Sequence, residues 1–500
     1  MMRAEATGKE AGAAVADAPW QRPYLVGIGG CGMSGLAQLL HRRGARVRGS
    51  DSTRTELTRK LGAMGIGVDS DQDGGAIPDD VDALIASAAI RPDHPQALEA
   101  QRRGVGVVSY AEALGACMAR ATGVAIAGTH GKSTTTAMLG CALTDAGLDP
   151  SVIVGATCSQ LGHGALADAS REAPVGFRLG ASTIPTGDRT GASGLLLAEA
   201  CEFNRSFHNL RPTIASISGV EADHLDIYGS LDAVVEAFAG FARLTPPEGT
   251  LLIAHEGAHR REITAGLSCR VETIGFSPSA DWTIGFDPGT REVWVARAGE
   301  PTYGWVNRMA GEHNAVNSAT AFALGRLCGG AGEKLARSLG AFKGLDRRMQ
   351  LVGERDGVRV YDDYGHHPTE IEATLRALRQ CERPEERGGR LVCVFQPHQH
   401  SRTRFLLEEF ATSFEQADVV IVPHIYFVRD SEAEKHRVSA SDLVDRLRTR
   451  GVRAMHLYPF EAIVEQLENV CRPGDLLVVM GAGPVWQVAR GYLETGTETV

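Results

Sequence analysis

The sequence predicts an α/β protein of about three domains, on three observations. The chain has 500 residues, more than one hydrophobic core organises. Short apolar runs repeatedly end in glycine turns that feed helical periodicity, the pattern of parallel strand–helix units. One such junction, Gly128-Thr129-His130-Gly131-Lys132-Ser133-Thr134, has the make-up of a P-loop-type phosphate-binding turn.

The central junction is the most informative. Val124 to Ala127 reads as a buried strand and Met138, Leu139 and Leu143 as the helix that follows. Between them, backbone N–H groups and the positive end of a helix dipole converge on one point, which suits phosphate. Lys132 can reach β- and γ-phosphates and the Ser133 hydroxyl can ligate Mg²⁺. The turn is the short form Gly-x-x-Gly-Lys-Ser, with Ile126 where the longer motif has its first glycine. A glycine-rich surface loop before an ordinary helix is the bland alternative, and the strand, paired glycines, lysine and hydroxyls together outweigh it.

Composition narrows the classes. An apolar fraction of 43% and a charged fraction of 22% are those of an ordinary globular protein. A formal net charge of −10 argues against a nucleic-acid binder. The ten cysteines are scattered, with no C-x-x-C pair, so neither a disulfide framework nor a structural zinc site is expected, and a reduced cytoplasm is the natural compartment. Met1 to Ala18 is rich in Ala, Glu and Gly and lacks a signal-peptide core, so residues 1–22 are expected to be a disordered tail. No run approaches the ~18 apolar residues of a membrane span, so membrane insertion is not expected.

Residues 23–118 form the first expected domain. Gly27, Gly29 and Gly32 satisfy G-x-G-x-x-G, and a second strand ends in Ser50-Asp51 about 20 positions on, the spacing of a dinucleotide fingerprint. Ala83 to Ile90 and Gly106 to Ser109 add further strands to a small parallel sheet. The second domain, 119–343, contains the phosphate turn. Leu195 to Leu197 reads as a buried strand delivering Glu199 and Glu202, and Thr213 to Ser218 as one delivering Glu221-Ala-Asp-His224. Acids and a histidine at strand ends beside a phosphate turn suit Mg²⁺–nucleotide chemistry; each alone is more often a solvated loop residue. The stretch 156–193, rich in Gly, Ala, Ser and Thr, is expected to be a long loop or hairpin excursion. A helix should begin near Asn314, with His313, Asn314 and Asn317 able either to cap it or to touch a nucleotide. In the third domain, 344–500, two polar loops follow strands: Asp362-Asp363-Tyr364-Gly-His366-His-Pro-Thr-Glu, and Gln396-Pro-His398 through Arg402 and Arg404. So many functional groups between a strand and a helix point to a site.

These segments together resemble the Mur ligases of peptidoglycan synthesis. The resemblance runs from about residue 23 to the C-terminus and rests on Gly27-Ile-Gly-Gly-Cys-Gly-Met-Ser-Gly35, Gly128 to Thr136, Glu199-Ala-Cys-Glu202, Glu221-Ala-Asp-His224, His313-Asn-Ala-Val-Asn317, Asp362 to Ile371 and Phe395-Gln-Pro-His398. It implies three domains: an N-terminal Rossmann-like unit for a UDP-sugar, a central ATPase, and a C-terminal Rossmann-like unit for the amino acid. The implied chemistry is ATP-driven amide formation, in which the lactyl carboxylate of UDP-N-acetylmuramate becomes an acyl phosphate that L-alanine's amine displaces, in a cytoplasmic monomer or homodimer.

Carried over by position, the resemblance gives Lys132 the transferring phosphoryl group and makes Ser133, Glu199 and His224 the Mg²⁺ ligands. The 128–134 turn, His313, Asn314, Asn317, Arg347 (or Arg348) and Asp363 would hold ATP. Gly29, Gly30, Gly32, Met33, Ser34, Ser50, Asp51 and Ser87 would line the UDP-sugar site, in place of a nicotinamide site. Tyr364, His366, His398 and Arg402 would frame L-alanine, with Arg402 taking its carboxylate. Gln399 and His400 stand where many members carry Arg and Tyr. A sister ligase attaching a preformed peptide shares nearly every motif. A nicotinamide-dependent oxidoreductase would leave Lys132, Ser133 and Glu199 unexplained, and a non-catalytic nucleotide-binding regulator would leave the two polar loops unexplained.

Overall fold

The computed structural model describes residues 18–167, 175–428 and 430–495. The expected tail, through residue 17, lies outside them, as does 168–174 of the Gly-rich stretch. The chain divides into two compact units, one through Arg120 and one from Ala121 on.

The first unit is a five-stranded parallel sheet of β1 (Pro23–Val26), β2 (Arg48–Ser50), β3 (Gly67–Asp69), β4 (Ala83–Ala86) and β5 (Val107–Ser109), in the order β3-β2-β1-β4-β5. Helices Cys31–Arg42, Glu56–Ala63, Pro95–Arg102 and Tyr110–Met118 connect and follow the strands. The strand order reverses beside β1, so the β1 and β4 loops leave at the switch point, where open α/β sheets bind ligands.

The second unit holds two sheets. The larger contains β6 (Thr122–Ala127), β7 (Ser151–Cys158), β8 (Val175–Arg178), β9 (Leu195–Glu199), β10 (Ile214–Ile217), β11 (Thr250–Ala254), β12 (Arg270–Gly275), β13 (Trp282–Asp287), β14 (Glu292–Arg297) and β15 (Tyr303–Val306). Their order is β15-β14-β13-β12-β11-β10-β6-β9-β7-β8. The strands from β7 through β13 that flank β6 run parallel, and antiparallel hairpins close both edges. The Gly-rich excursion is one of these hairpins, with β8 paired to β7 and a further bridge between Thr183 and Ser193. Register decides the site: Ile126 pairs with Glu199 and Ala127 with Ile217, so the turns after β6, β9 and β10 emerge side by side.

The helix Lys132–Ala146 follows β6, between Gly131 and Gly147, both left-handed. Almost every residue of it is buried, because helix Glu312–Leu327 packs directly on it. Ala315, Ala319 and Ala323 of that second helix are fully buried, and small side chains allow this close approach.

The smaller sheet, β16 (Gln350–Arg355), β17 (Val358–Asp363), β18 (Leu391–Phe395), β19 (Val419–Val422), β20 (Arg453–His456) and β21 (Leu476–Met480), has the order β16-β17-β21-β18-β19-β20. Its central strands read as unbroken apolar runs because both faces are covered. Leu391, Cys393 and Phe395 pack with Val478 and Met480 on one face, and Val392 and Val394 with Leu477 and Val479 on the other. Asp363, Met480 and Phe395 are in register, so the loops after β17, β21 and β18 share one edge. The linker between the sheets is pinned by the end of β7: Asp346 N–H donates to the Thr157 carbonyl at 2.9 Å, and Lys343 N–H to Gln160 Oε1 at 2.6 Å.

Candidate active site

The phosphate turn has the backbone its sequence requires. Gly128 and Gly131 have φ of +135° and +81°, and a Cβ on Gly131 would collide with Asn317 Oδ1. Only glycine supplies this cradle without strain, and an open cradle at a helix N-terminus fits a phosphate. Lys132 Nζ donates to the carbonyls of Gly128 (2.6 Å) and Thr129 (3.0 Å) and pairs with Glu202 at 3.0 Å. Burial works against its charge, but Glu202 above all outweighs that and holds the lysine above its ordinary value. It is therefore a cation aimed at the turn.

Around Lys132 the strand ends bring in acids. Glu202 Oε1 lies 4.0 Å from His224 Nε2, and Asp223 Oδ2 lies 3.7 Å from that nitrogen. Ligand atoms of Glu202, Asp223 and His224 all fall within 4.8 Å of one another. Burial lowers the His224 pKa, so the ring is neutral and able to ligate, and its buried Nδ1 has no hydrogen-bond partner among the described residues. Glu199 accepts the Gly155 N–H at 2.6 Å and is not part of this trio. Carboxylates, the Ser133 hydroxyl and one neutral imidazole are donors that a Mg²⁺–triphosphate can take. Of the Glu-x-x-Glu segment, Glu202 is the acid that joins the trio.

A cavity of about 260 Å³ opens beside the turn, lined by His130, Gly131, Thr134, Ser218, His313, Asn314, Asn317, Arg348, Asp363 and Glu370 among others. Asn317 Oδ1 accepts from Thr135 Oγ1 at 3.3 Å, and Asn317 Nδ2 donates to Asn314 Oδ1 at 3.3 Å. Burial drives His313 down to about 4, leaving it neutral. Asp363 accepts the N–H groups of Met349 (2.7 Å) and Gly365 (2.6 Å), and burial raises it to about 6. Arg347 and Arg348, the two candidate arginines, are placed differently. The Arg347 side chain is held by Asp362 at 3.2 Å and by the Gly481 carbonyl at 2.7 Å, inside the C-terminal domain, while Arg348 is the arginine that lines the cavity.

The two sheets of the second unit meet here through polar contacts. His130 of the phosphate turn lies 3.4 Å from Glu221 and 3.2 Å from Glu370. Thr369 Oγ1 donates to Glu221 at 2.6 Å, and His367 Nε2 is 3.3 Å from the Ala222 carbonyl. Glu221, Thr369 and Glu370 lay in quoted motifs, yet no spacing rule could pair residues 148 positions apart.

Next to this seam the amino-acid loops converge. The His366 ring is 5.5 Å from Tyr364 and 5.7 Å from His398. Arg402 Nη1 is 3.3 Å from His398 Nδ1. Arg402 does not stand free to meet a ligand with its whole guanidinium: Nε and Nη2 donate to Asp223 Oδ1 at 3.1 and 2.8 Å, and both side chains are buried. Burial takes His366 down to about 4.

In the N-terminal domain, Gly29 N–H donates to Asp51 Oδ2 at 2.8 Å, so the acid ties down the glycine turn from the neighbouring strand. Gly27 has φ of +76° and lies against Ser87, and Gly32 leaves room for the Tyr110 ring. A cleft of about 190 Å³ beside Asp51 is lined by Thr53, Arg54, Thr58, Arg59 and Asp69. Three expected contacts are turned inward instead. Met33 is in the core, Ser34 Oγ donates to the Cys31 carbonyl, and the fully buried Ser50 donates to Gln96 at 2.6 Å. The Gly30 position, capping helix Cys31–Arg42, stays on the exposed side of the turn.

A phosphate turn with a charged lysine, a carboxylate–histidine trio and a cavity beside the turn that the Asp363–Glu370 loop helps to line define a nucleoside-triphosphate-using enzyme. Family models match in series: the Mur ligase family catalytic domain over residues 23–122, the Mur ligase middle domain over 126–325, and the Mur ligase glutamate ligase domain over 347–483. The chain is 37% identical over 474 residues to the UDP-N-acetylmuramate–L-alanine ligase of Rubrobacter xylanophilus, covering 94% of this chain and 99% of that one. It is 37% identical to the enzyme of the same name from Sorangium cellulosum, covering 94% and 95%. Among solved structures, it is similar to the UDP-N-acetylmuramate-alanine ligase of Thermotoga maritima (TM-score 0.72, 24% identity, 95% and 98% covered) and to a murein peptide ligase of Psychrobacter arcticus (TM-score 0.71, 22% identity, 96% and 99% covered). The chain belongs to the Mur ligase family, whose three-domain α/β architecture it has.

Proposed function

We propose that the protein joins L-alanine to the lactyl carboxylate of UDP-N-acetylmuramate with ATP, in the cytoplasmic stage of peptidoglycan precursor synthesis. The observation that supports this most directly is the junction of the second unit. Lys132 and Glu202 on one side, and His366, His398 and Arg402 on the other, are linked through His224 and Asp223. The curated relatives, which carry the L-alanine ligase name over nearly their full length, supply the substrate pair. Ten free cysteines agree with a reducing compartment, and no helix among the described residues is long and apolar enough to cross a membrane.

A carboxylate is a poor acyl donor, so it must first be activated. The lactyl carboxylate oxygen bonds to the γ-phosphorus as the bond to the bridging oxygen breaks, releasing ADP. Alanine's neutral amine then attacks the acyl carbon, and inorganic phosphate leaves with the electron pair while the amine loses a proton. Lys132 offsets the charge that spreads over the γ-phosphoryl oxygens. Ser133, Glu199 and His224 are the residues that would hold Mg²⁺, which would supply positive charge to the phosphates, and Glu202 stands 4.0 Å from His224. Asn314, Asn317, Arg348 and Asp363 bind and orient the nucleotide. The contacts of His130 and Thr369 with acids of the opposite domain keep the nucleotide cavity closed, which protects an acyl phosphate from water. In the N-terminal domain, the 27–32 turn and Asp51 take the UDP-sugar.

The test is phosphate release by purified protein given UDP-N-acetylmuramate, ATP and Mg²⁺ with single amino acids or a tripeptide. Release that depends on L-alanine is the expected result. Dependence on the tripeptide would move the reading to the peptide-adding ligase, and no nucleotide turnover would end both.

A further inference from the structure

Every hydrogen bond that Asp223 accepts from Arg402 ends on one oxygen, Oδ1, and reaches only the Nε–Nη2 side of the guanidinium. The same oxygen accepts the His224 N–H at 2.7 Å, which fixes the carboxylate relative to its own chain. The pair spans the domain seam, with side-chain exposures of 5% for Arg402 and 9% for Asp223. Two charges are rarely buried to this degree without a geometric purpose, since desolvation offsets much of their attraction. The other side of the guanidinium, at Nη1, faces His398, where His366 and Tyr364 also gather.

We propose that Asp223 is a positioning residue for the amino acid: it grips one edge of Arg402 so that the other edge is presented, at fixed angle, to the carboxylate of the incoming substrate. This rests on the reading of Arg402 as the carboxylate-binding residue. A guanidinium has five N–H donors in a rigid fork, so one edge can be anchored while the opposite edge stays available. Free Arg side chains lose rotamer freedom on binding; Asp223 removes that loss beforehand. Because Asp223 precedes His224 in the chain, the domain that holds the nucleotide also sets the angle of the amino-acid grip, and the grip is assembled only when the two domains meet.

The experiment is steady-state phosphate release by the full chain for Asp223→Asn, Arg402→Ala and the double variant, with KM determined separately for L-alanine and ATP, and Mg²⁺-ATP affinity measured by calorimetry. Arg402→Ala is expected to raise the L-alanine KM at least 30-fold. Asp223→Asn is expected to raise it about tenfold, several times more than it raises the ATP KM. The double variant should match Arg402→Ala alone. An unchanged or lowered L-alanine KM in Asp223→Asn, against a raised one in Arg402→Ala, overturns the positioning role. Equal rises in the ATP and L-alanine KM would place Asp223 at the nucleotide and overturn it too. An unchanged L-alanine KM in Arg402→Ala would instead remove the reading of Arg402 on which the inference stands. If Asp223→Asn does not fold, Asp223→Glu, which keeps the charge and moves the oxygen, should show the same split.

Discussion

His130 Nδ1 lies 3.2 Å from Glu370 Oε1, a contact between residues 240 positions apart that ties the phosphate turn to the first turn of helix Pro368–Glu382. With Glu221 on the ring's other nitrogen, the imidazole is held between two carboxylates. Burial alone would lower its pKa; the two acids more than reverse this, raising it from 6.5 to about 9. A pKa raised on folding means the contact stabilises fully below pH 6.5 and is lost as pH climbs through about 9. The thermal midpoint of His130→Gln should therefore fall below that of the parent at pH 6.5 and converge with it above pH 9. A gap that does not change with pH would contradict the ion pair.

Lys132→Ala should lower kcat by roughly a thousandfold or more, the scale of losing a preorganised charge at the transferring group. Binding of UDP-N-acetylmuramate, followed by calorimetry, should persist, because the glycine turn proposed for it belongs to the first compact unit and Lys132 to the second. Loss of both would indicate a wrong division of labour between the domains.

Gly131→Ala meets two obstacles at once, φ of +81° and the Asn317 amide. The expected outcome is an ATP KM raised about tenfold or more and a destabilisation on the order of 1–3 kcal/mol. Denaturant unfolding and kinetics together check it; an unaffected ATP KM would show that the turn is not the phosphate site.

His224 is neutral and points Nε2 toward Glu202 and Asp223. His224→Ala should shift the Mg²⁺ requirement to concentrations at least tenfold higher, on the scale by which metal affinity falls when its ligand sphere is disturbed. Excess Mg²⁺ should restore part of the rate. EDTA should abolish parent activity, and readdition should restore it.

Gln160 is buried and makes three bonds to the backbone: Nε2 to the carbonyls of Ala165 (3.0 Å) and Ala341 (3.1 Å), and Oε1 from Lys343 N–H (2.6 Å). Gln160→Ala would strand buried backbone groups on the inter-domain linker at a cost of about 2–4 kcal/mol. The expected result is a lower unfolding midpoint with substrate KM values unchanged. This assigns the excursion after β7 a structural role that its composition did not suggest.

The sequence by itself determined the α/β class, the phosphate turn, the helix beginning near Asn314 and the two polar loops. Each is a local matter: periodicity, glycine placement and functional groups adjacent in the chain specify conformation within a few residues. Tertiary structure alone decided which groups face one another. It turned Arg347 toward Asp362 and put Arg348 in the cavity, buried Met33 and Ser50 against core partners, and paired Lys132 with Glu202 and Arg402 with Asp223. The physical reason is strand register. Pairing Ile126 with Glu199, and Asp363 with Met480 and Phe395, fixes which strand ends lie side by side, and that choice depends on the summed packing of a whole sheet rather than on any one segment.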